Sequence, residues 1–142
     1  MVIIFDTCVV LDHLFDRDNF VENARKLLKI SGAHHIDGVV SAKSIADIHY
    51  LLKRRIHQEF IVRQAIDKLL TLVGIVSTNS SDIHAAMKSK INDFEDAIMD
   101  ETASRISAEY IVTRNIKDFK NSKVPAILPE DFLKLLPNYS KE

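Results

Sequence analysis

Residues 1–12 read MVIIFDTCVVLD. Val2-Ile3-Ile4-Phe5 is a short, β-branched apolar run with a polar boundary, which predicts a strand buried on both faces. Asp6 follows at once. In open parallel sheets, ligands bind beyond the carboxyl ends of the strands. An acid at that position is therefore the first residue to test for function.

Working outward, short and long apolar runs alternate. Residues 19–30 predict a helix on which Phe20, Ala24, Leu27 and Leu28 share a face, stopped by Ser31-Gly32. Gly38-Val39-Val40 predicts a second strand, and Ser41 caps a helix running to about Arg54. Residues 57–73 predict another amphipathic helix, and Gly74-Ile75-Val76-Ser77 a short strand. Helices are predicted over 80–90 and 93–107, then a strand over Tyr110–Thr113. Residues 124–128 fit an edge strand, because Pro125 cannot donate to a ladder. Pro129 opens a last helix over 130–136. Strands separated by helices give an α/β domain with a mostly parallel sheet. With no repeat, low-complexity tract or linker, residues 1–142 are expected to form a single domain.

Composition narrows the classes. Of 142 residues, 46% are hydrophobic and 27% charged, as in a globular protein. Three Gly and three Pro argue against long flexible linkers. A net charge of -1 excludes a basic field over the whole molecule, so nucleic acid would need a local patch or bridging metals. Cys8 is a lone thiol and cannot close an internal disulfide. Asp6 interrupts the first apolar run, which has no basic start, so it does not read as a signal peptide. No apolar stretch reaches the ~20 residues of a membrane span. The expectation is a cytoplasmic protein without membrane contact.

The carboxylates carry the chemistry. Asp6 follows the first strand, and Asp47 lies in mid-helix among apolar neighbours. Asp93, Asp96 and Asp100 are spaced three and four apart, which puts them on one helix face, where like charges repel unless a cation neutralises them. Thr113, Asn115 and Asp118 follow the 110–113 strand. Oxygen ligands of this kind suit Mg²⁺ or Mn²⁺. Taken singly, each acid has an ordinary explanation. Asp6 could be a turn or cap residue, Asp93 an N-cap, and Asp100 a solvated charge. Asp12, Asp16, Asp67 and Asp82 read as surface acids. The argument rests on the set.

Other chemistries lack their signatures. Cys8 has no Arg six residues on and reads as a small core thiol. The six histidines show no zinc-ligand spacing. Neither a Gly-rich phosphate loop nor a Gly-x-Ser-x-Gly turn occurs. Lys53-Arg54-Arg55 fits a solvated face as well as a phosphate contact. Arg114 and Lys117 flank the acid set and are expected to touch phosphate.

Three blocks together, IIFDTCVVLD, SAKSIADIHYLLK and NDFEDAIMDETASRISAEYIVTRNIKDF, make the chain resemble a PIN domain, the nuclease fold of VapC-type toxins in bacterial toxin–antitoxin pairs. The resemblance spans nearly the whole chain, and the first and last blocks are its specific parts. It implies a three-layer α/β/α fold with a central, mostly parallel sheet of four to five strands. It also implies acids converging on Mg²⁺ or Mn²⁺. Asp6 matches the first acid, Asp47 the second, where Glu is usual, and Asp96 the third, with Asp93 as a helper. Asn115 falls where many members carry Asp, and Asp118 supplies the missing charge. Thr113 matches a hydroxyl position near the metal. The implied partners are an RNA substrate, a cognate antitoxin and a second copy of the chain.

Two functions from different classes follow. One is a Mg²⁺- or Mn²⁺-dependent endoribonuclease acting as a toxin. The other is a catalytically weak PIN-like module that binds RNA or protein, suggested by the departures at Asp47 and Asn115. An aspartyl-phosphate domain is a weaker third reading, since Cys8 stands where a second acid would be needed.

Overall fold

The structure, a computed structural model, describes residues 1–136. Residues 137–142 of the expected single domain lie outside them. In chain order the elements are β1 (Val2–Phe5), α1 (Thr7–Leu14), α2 (Val21–Gly32), β2 (Asp37–Ser41), α3 (Ala42–Ile56), α4 (Glu59–Leu69) and β3 (Gly74–Val76). Then follow α5 (Ser80–Ala86), α6 (Phe94–Arg105), β4 (Tyr110–Val112), a 3-10 turn (Ile116–Phe119), β5 (Ala126–Ile127) and α7 (Pro129–Lys134). The sheet runs β3-β2-β1-β4-β5, and every pair is parallel. This is the expected three-layer α/β/α architecture.

The alternation of β1 builds the layers. Ile3 and Phe5 join one core with Val9, Leu27, Leu28, Ile48 and Phe132. Ile4, between them, joins a second core with Ala97, Ile98, Ile111 and Phe119. Successive strand side chains point to opposite faces, so one strand supplies both cores. Burial on both faces is why β1 reads as an unbroken apolar run.

The strand order reverses at β1, which has β2 on one side and β4 on the other. Phe5 is level with Val112, and the Asp6 amide donates to the Val112 carbonyl at 2.9 Å. The residues after β1 and β4 therefore emerge side by side at the carboxyl edge, where such folds hold ligands.

Several expectations are corrected. Residues 7–14 form a helix not expected from the sequence, capped by the Asp6 carboxylate at Thr7 N. The predicted 57–73 helix is confined to Glu59–Leu69, because His57 takes a left-handed φ of 68° that ends α3. The 80–90 helix ends at Ala86. Asp12, Asp82 and Asp100 are not surface acids; their exposures are 1%, 2% and 1%. Asp12 pairs with Arg17 and Arg114, and Asp82 with Arg105. Asp100 accepts from the backbone amides of Lys123 and Val124 at 2.9 and 3.0 Å, fixing the approach to β5. Such partners remove most of the cost of burying a carboxylate.

Candidate functional site

Asp6 serves two elements at once. Its Oδ1 accepts from Thr7 N at 2.8 Å and so starts α1. Its Oδ2 accepts the Thr113 hydroxyl at 2.7 Å, tying β1 to the residue after β4. Burial raises the Asp6 pKa, and these hydrogen bonds only partly offset the rise. The Cys8 thiol is pushed up to about 11, first by burial and then by the Asp6 charge. At neutral pH it is an inert thiol, as expected of a core residue.

Asp96 stands in the first turn of α6, with its amide capped by the Asp93 carboxylate at 3.0 Å. Its pKa is raised to about 7, first by burial and then by the charges of Asp93, Asp6, Asp118 and Glu95. The structure thus brings together Asp6, Asp93, Asp96 and Asp118 from three separate segments. Asp100 departs from this group, drawn away to the β5 approach.

An open cleft of about 390 Å³ lies beside these acids. Asp6 and Asp96 line it, and Asp47 stands on α3 across from them. Lys43 fills the space between: its ammonium is 2.7 Å from Asp47 and 3.5 Å from Glu95. Burial lowers the Lys43 pKa, but these carboxylates outweigh burial and raise it overall. Beneath the cleft runs a row of hydroxyls. Thr7 Oγ1 donates to Ser44 Oγ at 2.9 Å, and Ser41 Oγ caps α3 at Ser44 N at 3.1 Å. Sequence reasoning identified Ser41 but missed Thr7, Lys43 and Ser44. The Ser41-x-x-Ser44 spacing was the available signal for part of this row.

The basic residues separate clearly. Arg114 donates to both Asp12 oxygens, at 2.6 and 3.0 Å, and lies 4.1 Å from the Phe20 ring centroid. Its guanidinium is held by Asp12 and Phe20, and the Asp6 charge also acts on it. Lys53 pairs with Glu59, while Arg54 and Arg55 stack on Tyr50 and Phe15. Lys117 and Asn115 are exposed near Asp118.

Among the described residues, no three His, Cys, Asp or Glu side chains form a ready-made metal cage. The chemistry of the donor set nevertheless fits a hard cation. The donors are all oxygens, and burial together with the neighbouring carboxylate charges has pushed one of them to about 7.

A doubly wound parallel sheet with an acidic cleft at its reversal point defines an α/β domain of the class that holds ligands at that edge. The chain belongs to the PIN-domain family, whose model matches residues 2–117. No curated protein sequence is detectably similar to it. Similar solved structures include VapBC2 from Rickettsia felis bound to a promoter DNA fragment, at 17% identity and TM-score 0.69, covering 90% of this chain and 98% of that one. A toxin–antitoxin complex from Klebsiella pneumoniae is 24% identical with TM-score 0.63, covering 89% and 96%. Mycobacterium tuberculosis VapC20, described as a Sarcin-Ricin loop cleaving toxin, is 17% identical with TM-score 0.60, covering 77% and 86%. These likenesses concern the fold. Among the described residues, no helix is long and apolar enough to cross a membrane.

Proposed function

We propose that the chain is a Mg²⁺- or Mn²⁺-dependent endoribonuclease, the toxin of a toxin–antitoxin pair. The observation that carries this reading is the gathering of Asp6, Asp93, Asp96 and Asp118, where burial first and then the repulsion of the neighbouring charges raise Asp96 to about 7. A divalent cation relieves that repulsion, and Asp6 and Asp96 are its principal holders. Such an ion lowers the pKa of bound water and stabilises charge on a phosphoryl oxygen. Thr113 keeps the Asp6 carboxylate oriented through its 2.7 Å hydrogen bond. Lys117 and Asn115 are placed to meet substrate phosphate and sugar. Asp47 acts from the far wall of the cleft, and Lys43 neutralises it until substrate or metal draws one of the two away. Two of the similar solved structures are toxin–antitoxin complexes, which supports an antitoxin partner here. A homodimer, a cytoplasmic location and one domain over 1–142 complete the proposal.

Purified protein is expected to cut single-stranded RNA with Mn²⁺ and to stop when EDTA is added. Asp6→Asn keeps the cap of α1, because Asn caps as well as Asp, yet loses cleavage. Asp96→Asn loses it as well. Cleavage by both variants at the wild-type rate would refute the assignment. A second reading, a weakly catalytic RNA- or protein-binding module, is favoured by the Lys43–Asp47 pair and by neutral Asn115. Calorimetry with millimolar Mn²⁺ separates the two: no heat of binding favours the second.

A further inference from the structure

The acid cleft accounts for one phosphate of a substrate and leaves the rest of the strand unplaced. Three cations are already taken: Lys43 by Asp47 and Glu95, Arg114 by Asp12, and Lys123 by Glu101. Lys90, Lys117 and Lys120 differ. All three are exposed, and none lies within ion-pair distance of a carboxylate among the described residues.

These three lysines line one groove of about 250 Å³. They reach it from two places, the segment before α6 and the 3-10 turn after β4. Asp93 and Asp118 line the same groove, and their charges act on Asp96 in the cleft. Groove and cleft therefore adjoin across those two acids. A free small anion in the groove would feel both of them. A strand of phosphates can instead meet all three lysines at once. Lysine suits this task, being a mobile point charge that binds phosphate without reading sequence. Asn92 and Asn121 add amides along the wall, able to meet sugar or base edges.

We propose that this groove is a phosphate-binding track that carries the backbone of single-stranded RNA away from the acid cleft. That the polymer is RNA rests on the nuclease reading above; the groove and its free cations do not.

The test measures binding of a fluorescein-labelled oligouridylate by anisotropy, in EDTA, across a KCl series. Each phosphate contact on a single strand contributes about 0.7 to the slope of log affinity against log salt. The double variant Lys90→Gln/Lys120→Gln is expected to bind more weakly, with a slope smaller by about 1.4. Lys29→Gln on α2, outside the groove, leaves the slope unchanged. Mn²⁺ affinity of the double variant, read by calorimetry, does not fall. An unchanged slope in a protein that still binds Mn²⁺ and cuts RNA overturns the track alone. A reduced slope in a protein that neither binds Mn²⁺ nor cuts RNA overturns the nuclease reading and leaves the track standing. If the double variant loses polyglutamate binding more than RNA binding, the groove takes an acidic protein segment and the track is wrong.

Discussion

Asp96 shows how much one residue's neighbours decide. Its carboxyl titrates near 3.8 in an open chain and near 7 in the fold, through burial and the charges of Asp93, Asp6, Asp118 and Glu95. Between those values the folded protein holds a proton that the unfolded chain has released. Stability of the metal-free protein therefore falls as pH rises from about 4 through about 7, as far as this group is concerned. Asp96→Asn removes that dependence. In EDTA at pH 8 the variant is expected to melt at a higher temperature than wild type, with the difference vanishing towards pH 4; a lower melting temperature at pH 8 would contradict the crowding. The residue type and its place near Asp93 were legible in the sequence. The pKa was not, because two of the charges that set it lie far away in the chain.

At the scale of elements, the junctions between strands and helices do most of the positioning. Asp6 ends β1 and caps α1, Ser41 ends β2 and caps α3, and Asp93 caps α6. Each helix thus begins beside the cleft with its amides satisfied by a side chain. The sheet itself tolerates little change at Gly38. A Cβ there would collide with Ser31 Oγ and lie 2.6 Å from Phe5 Cε2, whereas at Gly74 its nearest neighbour is Val39 Cγ1 at 3.5 Å. Gly38→Ala is expected to destabilise by about 1–3 kcal/mol through overpacking, and Gly74→Ala by less than about 1 kcal/mol. Urea denaturation of both variants checks this, and equal midpoints would show that β2 can shift to make room. Helix α1 went unread in the sequence because residues 7–12, TCVVLD, are β-branched and apolar, much like a strand. Tertiary packing overrides that propensity: Val9 and Val10 are fully buried against the sheet.

For the whole molecule, the proposed cation is a ligand of the folded state and should stabilise it by mass action. At a hundredfold excess over its dissociation constant, Mn²⁺ adds about 2.7 kcal/mol, a rise of roughly 8 °C in melting temperature for a domain of this size. Scanning calorimetry with Mn²⁺ and with EDTA measures the shift, and Asp96→Asn should show none. A shift that survives in Asp96→Asn would move the cation to another site. The overall charge of -1 gives no hint of nucleic acid, because acidic and basic regions cancel in the sum. Only their separation in space, acids at the cleft and free lysines along the neighbouring groove, creates a local field.

By itself the sequence determined the alternation of strands and helices, the parallel sheet and the acids to examine. Those features are local: a period of two or of 3.6, a cap, a proline at a helix start. Tertiary structure alone decided which acids meet. Asp12, Asp82 and Asp100 looked like surface charges and became buried staples, since their partners Arg114, Arg105 and the 123–124 backbone are distant in the chain. Lys43 divides between the two: its pair with Asp47 is an i,i+4 spacing within α3, open to reading in the sequence, whereas its approach to Glu95 depends on how α3 and α6 meet at the sheet edge.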